Sequence, residues 1–284
     1  MTFFSRHHAI FKDVYREVGL LEVLVTCLQR FAAVMKLKLD VRPSEEQIKE
    51  EEQDEQPDRE RELGYLVMEC LGVLLVGNAN NAAVFRESGG ARCAHNLIPY
   101  TDCRREALCL VQQLILSTGG DDDMGTVLGL LQSAPATDLS LKMDILKSLL
   151  TCLRESHRTR TMFRKVGAFV YIMSALVSME GCLHPNPDES ASNSNWGTLA
   201  PVEILRLLHL IFNTLCVAMR YEPANAKFFQ QEICGPSLCD TIRLLGCFDQ
   251  RRTFDEPEEV ADNPQQQGGG GFHKIFNRGV QDFE

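Results

Sequence analysis

Aromatic residues are scarce in this chain, with one tryptophan, Trp196, and five tyrosines in 284 residues. A β-sandwich core draws on aromatic and β-branched side chains, so this shortage beside abundant leucine points to interlocking helices and an all-α fold. No apolar run approaches the roughly 18 residues of a membrane span, because even 201–219 carry Glu203, Arg206, His209 and Asn213. A signal peptide is also lacking, so the eleven cysteines of this long chain read as thiols of a reducing compartment, not as a disulfide scaffold. Cys70, Cys109, Cys152 and Cys216 sit among leucines at helical spacing, where a thiol behaves as a small apolar residue. A basic surplus is missing as well, since the net charge is -10, and a nucleic-acid groove is not indicated.

That charge is local. Residues 45–62 hold ten acids against three bases, and 249–284 hold eight against four, which leaves the rest near neutral. Between Pro43 and Leu63 only Ile48 is available for burial, too little to offset the entropy of ordering. The pattern therefore predicts a first helical repeat over 1–42 and a disordered acidic loop over 43–62. Helical repeats follow over 63–248, interrupted by a loop at 181–200 that is rich in Pro, Ser and Asn. A disordered tail, with its run QQQGGGG, occupies 249–284.

What is present is recurrence. A polar residue, a large apolar residue four positions on and a glycine four further on appear as Asn81, Phe85 and Gly89, and again as Thr159, Phe163 and Gly167. Asn225 and Phe229 form a third copy whose glycine slips to Gly235, and His7, Phe11, Tyr15 and Gly19 form a looser one. Leucine-rich stripes precede the copies, as in Leu63, Leu66, Val67, Cys70, Leu71, Leu74 and Leu75, with the i, i+3, i+4, i+7 spacing of a buried helical face. Cap, core plug and turn in repetition describe an α-solenoid of armadillo/HEAT type. The intervals from Phe85 to Phe163 and from Phe163 to Phe229 exceed one unit of about 40 to 47 residues, leaving room in each for an extra helix pair.

Chemical motifs are absent where an enzyme would need them. There is no serine elbow, no phosphate-binding glycine loop followed by Lys and Ser or Thr, and no two-histidine zinc helix. The reading is of a chain that is not an enzyme and uses no cofactor. Asp121, Asp122 and Asp123 suit a helix start better than a calcium loop, because Gln132 stands where the closing bidentate acid is required. Cys93, His95, Cys103 and Cys109 lack zinc-ligand spacing. Asn81, Asn213 and Asn225 invite comparison with the asparagine ladder of a peptide-binding groove, but tryptophan neighbours are missing and capping is the simpler role. The candidate contact patch is Arg154, His157, Arg158, Arg160, Arg164 and Lys165, since guanidinium groups pair with carboxylates and phosphates. Its bland counterpart is a solvated helix end, where cations offset the dipole.

The strings FKDVYREVGLLEVLV at 11–25, FRESGGARCAHNLIPY at 85–100, GDDDMGTVLGLLQSAP at 120–135, LRESHRTRTMFRKVGAFVYI at 153–172 and MRYEPANAKFF at 219–229 carry a resemblance. Together, over roughly residues 8–248, the chain resembles the N-terminal armadillo-like region of the WD-repeat and FYVE-domain BEACH family, the group of Alfy and blue cheese. The resemblance implies a segment of a very large cytoplasmic scaffold that brings ubiquitinated aggregates to autophagic membranes. It implies protein partners, with no nucleic acid and no membrane insertion. Lipid binding is expected only through family domains that this chain does not contain, and no site residues carry over. The start MTFFSRHHAIFKDV, which opens inside a helical pattern, suits a fragment. The competing class is a free-standing armadillo receptor for a peptide or a small GTPase in membrane trafficking.

Overall fold

The computed structural model describes residues 9–40, 56–136, 138–183, 199–233 and 235–246. Among these residues there are thirteen α-helices and no strand, which is the all-α solenoid that the leucine stripes predict. They are α1 (Ala9–Glu17), α2 (Leu20–Asp40), α3 (Gln56–Leu75), α4 (Ala79–Glu87), α5 (Gly90–Leu97), α6 (Arg104–Leu116) and α7 (Asp121–Ser133). After these come α8 (Leu139–Glu155), α9 (His157–Lys165), α10 (Ala168–Val177), α11 (Pro201–Met219), α12 (Pro223–Phe228) and α13 (Gly235–Leu244).

Each corner follows from its local sequence. Asn78 caps α4 by accepting a hydrogen bond from the Asn81 N–H, and Asp138 caps α8 by accepting one from Leu141. Gly19, Gly89 and Gly167 take positive φ of 76°, 80° and 73°, and their N–H groups close back on the carbonyls of Arg16, Arg86 and Arg164. That left-handed step is open to glycine at little steric cost. It turns α1 into α2 through 76°. At the last corner the glycine has slipped to Gly235, the first residue of α13, and the chain makes a π-turn over Phe229–Ile233 instead. The first corner aligns on Tyr15, four residues before Gly19, so Phe11 holds the place of the polar residue; His7 lies outside the described residues.

Nine of the helices form two layers. In one, α2, α5, α7, α10 and α13 pack in succession; in the other, α3, α6, α8 and α11 do. The short α1, α4, α9 and α12 turn the corners between layers. The interval from Phe85 to Phe163 does hold an extra pair, α7 and α8, which has no short helix of its own. Between Phe163 and Phe229 the described residues supply α10, α11 and the corner helix α12, with no extra pair. Phe85 and Phe163 are fully buried plugs, each worth about 1.5–3 kcal/mol of apolar burial. The Phe85 ring covers Gly90 so closely that a Cβ there would sit 2.4 Å from it. Phe163 meets Phe169 edge-on at 5.1 Å between centroids, and Phe228 and Phe229 pack on the same ring.

The structure departs from several expectations. Helix α3 starts at Gln56, so 56–62 are helical although the composition suggested a loop; extending a helix already held by a packed apolar face adds one backbone bond per residue. Residues 43–55, the segment 184–198 with Trp196, and the tail 249–284 lie outside the described residues. Leu63 and Leu66 are exposed, and the covered face of α3 is Val67, Met68, Leu71, Leu74 and Leu75. Two apolar stripes run along this helix, and neighbours α2 and α6 cover one of them. Of the four cysteines read as core, Cys152 is buried and Cys70 half-buried, whereas Cys109 and Cys216 are exposed. Helix α11 is long and apolar enough to cross a membrane by length and composition, because its two charges, Glu203 and Arg206, crowd into its start. Here Ile204, Leu207, Leu208, Ile211 and Leu215 are buried against the neighbouring helices α8 and α10.

Candidate functional site

The six residues of the candidate patch share one corner of the chain, the end of α8 and the whole of α9, but not one task. Arg158, at the start of α9, reaches back to the end of α6 and donates to the carbonyls of Ile115 at 3.2 Å and Leu116 at 2.8 Å, and to that of Ser117. Arg160 donates to the Leu153 carbonyl at 2.8 Å and to the Glu222 carboxylate at 3.3 Å. Arg164 donates to the Asn225 side-chain oxygen at 3.2 Å. His157 Nδ1 pairs with the same buried Glu222. A guanidinium committed to backbone carbonyls has fewer donors to offer a ligand. Arg154 and Lys165 are exposed and have no partner among the described residues. The surface therefore keeps part of the patch, and the fold uses the rest.

The asparagines neither line a peptide groove nor cap. Asn81 is buried, and its amide donates to the Leu74 carbonyl at 3.0 Å, seven residues back, and to the Lys12 carbonyl at 3.3 Å. Its oxygen accepts from Arg16 at 3.1 Å. Asn225 repeats this in every contact, donating to Ala218 at 2.8 Å and Arg160 at 2.7 Å and accepting from Arg164. Thr159 keeps the seven-residue reach, its hydroxyl donating to the Cys152 carbonyl at 2.7 Å. All three side chains satisfy carbonyls left open at a helix end, and Asn81 and Asn225 also clasp their corner to the short helix of an earlier one. Asn213 takes no part and lies half-buried in α11. A signal for the clasp exists in the sequence: an arginine directly follows the aromatic in Tyr15-Arg16, Phe85-Arg86 and Phe163-Arg164.

Arg86 serves the corner that has no short helix. Its guanidinium bonds the carbonyls of Leu114 and Thr118 and the Ser117 hydroxyl, and pairs with the Asp123 carboxylate at 2.8 Å. Asp121, Asp122 and Asp123 occupy the first turn of α7, where negative charge complements the dipole, and Asp123 is turned inward. His95 Nε2 lies 3.5 Å from the other Asp123 oxygen, and burial holds this imidazole below its ordinary pKa while Asp123 pulls it back up. Cys103 is buried, with its thiol against the Leu97 carbonyl and its pKa pushed up to about 11 by burial. Cys152 reaches about 12 for the same reason. Thiols so displaced are poor nucleophiles and poor metal ligands. Among the described residues no group of three or more His, Cys, Asp or Glu could hold a metal ion.

Two open grooves run between neighbouring helices of a layer. One, of about 580 Å³, lies between α2 and α5 and presents Gln29, Lys36, Arg92, Asn96 and Tyr100. The other, of about 660 Å³, lies between α3 and α6, with Leu66, Met68 and Val73 beside Glu69, Arg105 and Glu106. Mixed apolar and charged linings of this kind suit a polypeptide segment.

Comparison with known proteins accords with this architecture. A family model described as armadillo-like repeats matches residues 128–259. The human WD repeat- and FYVE domain-containing protein 4 is 28% identical over 245 residues, 84% of this chain, and its mouse counterpart 29% over 269 residues, 90% of this chain. The chain has armadillo-like repeats and is similar over most of its length to a stretch of the WD repeat- and FYVE domain-containing proteins. Both relatives are protein 4, so the likeness reads on the family and not on Alfy in particular. The chain spans 7% of the human and 8% of the mouse protein. The crystal structure of an engineered protein aligns over 86% of this chain and 85% of its own at TM-score 0.38 and 13% identity, a likeness too slight to bear on the fold. Armadillo-like repeats are generally protein-interaction modules, and this region is read as one.

Proposed function

We propose that this chain is a non-catalytic interaction segment of a large BEACH-type scaffold acting in selective autophagy of ubiquitinated aggregates in the cytoplasm, at autophagic membranes that the scaffold reaches through other domains. The observation that carries the reading is the two-layer stack of helices, whose polar clusters are taken up by clasps between corners while open grooves remain between neighbouring helices. Stacked repeats offer surface in proportion to their length and suit assembly better than chemistry. Relatives bearing FYVE and WD-repeat names support the scaffold class.

Proximity labelling with the full chain in cells tests this. Labelling of autophagy adaptors, with recruitment to ubiquitin-positive foci under proteotoxic stress, is expected. A single small GTPase or targeting peptide as the dominant partner, with no recruitment, would replace the autophagy reading with that of a trafficking receptor.

A further inference from the structure

The second and last corners share one backbone turn. Gly77 and Tyr221 each stand four residues before a clasping asparagine, at φ of 64° and 58°, and the next N–H closes the turn on Leu75 at 3.1 Å or Met219 at 3.0 Å. Glycine holds this conformation easily, and a residue with a Cβ does so against a steric cost. Among the described residues Tyr221 is the one non-glycine with positive φ.

The fold draws little from the side chain held there. Tyr221 is 79% exposed, and its contact is with Arg220, whose guanidinium lies 5.1 Å from the ring centroid and donates to the hydroxyl at 3.4 Å. The turn beneath is fixed, because the adjoining Glu222 is buried and pairs with both His157 and Arg160. A strained aromatic directed to solvent from an anchored turn is presented for contact. The positive charge beside the ring is that of exposed Arg220, which stacks on it, while the neighbouring carboxylate, Glu222, is buried and taken up by Arg160 and His157. Tyrosine with arginine is the composition of binding hot spots, and a pre-set ring loses little entropy on docking.

We propose that Tyr221 and Arg220 anchor a docking surface for an acidic peptide segment of a partner protein, the exposed Arg220 guanidinium supplying the positive charge that an Asp or Glu side chain would meet. The inference rests on reading this chain as an interaction module and assigns that module a surface. Its test is selection of a random peptide library on the full chain, with affinities of enriched peptides measured for Tyr221→Gly and Arg220→Ala. Enrichment of Asp and Glu is expected, with binding weakened at least about tenfold in both variants. Tyr221→Gly is expected to keep the wild-type helical circular dichroism and to melt no lower, because glycine already fills the matching place at residue 77. Selection without acidic enrichment, or peptides whose affinity Tyr221→Gly leaves unchanged, overturns the proposal. So does binding to phosphatidylserine vesicles alone, lost on Tyr221→Gly, which would make the surface a membrane contact. Any of these leaves the scaffold reading standing, since adaptors in cells can be reached through another face.

Discussion

At the scale of single residues, the polar side chains that look available for binding in the sequence are largely bound already. Asn81 serves two carbonyls and one guanidinium from inside the core. Replacing it with leucine would strand the Leu74 and Lys12 carbonyls, and a buried group left without its partner costs about 1–3 kcal/mol. Asn81→Leu is therefore expected to lower stability by about 2–3 kcal/mol in urea unfolding, with Asn225→Leu falling in the same range. A loss below the scatter of surface variants would mean that water takes over the clasp. The apolar half of the motif is legible from spacing alone, since Phe85 and Phe163 are the plugs the pattern demands. The polar half is legible only through the arginine that follows the aromatic, which marks a corner without naming the asparagine it will meet. A capping asparagine and a clasping asparagine have the same neighbours in sequence and differ in a partner lying 65 or more residues away, such as Lys12 for Asn81 or Arg160 for Asn225.

At the scale of elements, helices are read from sequence more surely than the faces they cover. The second apolar stripe of α3 shows why: Leu63 and Leu66 satisfy the helical period as well as Val67 and Leu71 do, and the position of α6 decides which is buried. The joint of α4, α5 and α7 contains an element-level titration. His95 faces Asp123 from α7 and lies within reach of the Arg86 charge from α4; burial lowers its folded-state pKa below the ordinary 6.5, Asp123 opposes this and Arg86 adds to it. A group with a depressed cationic pKa resists protonation when folded, so its contribution to stability is present above 6.5 and is lost as pH falls toward the folded-state value. Thermal melts from about pH 7.5 to about pH 5.5 should fall more steeply for the wild type than for His95→Gln, which has nothing to titrate there. Parallel slopes would show that His95 is protonated equally in both states.

At the scale of the whole molecule, repetition is imperfect in one place, and the imperfection is filled by side chains. Between α6 and α7 there is no short helix, and the final carbonyls of α6 are gripped from one side by Arg86 and from the other by Arg158. Arg86→Met also leaves buried Asp123 without its charge partner, a loss of about 3–5 kcal/mol for a broken buried pair. Arg158→Met is expected to cost about 1–2 kcal/mol, since its head is more exposed. Because both arginines serve carbonyls within one helix end, the double variant should depart from additivity by at least about 0.5 kcal/mol in a double-mutant cycle. Strict additivity would mean that the two grips act independently.

Deletion of a repeat helix is usually thought of as removal of a building block, with neighbours closing up behind it. At this joint no short helix covers the last carbonyls of α6, and two long cationic side chains take them up from flanking units. A joint between repeats can therefore close without a covering helix where an arginine next door brings five donors on a flexible stem.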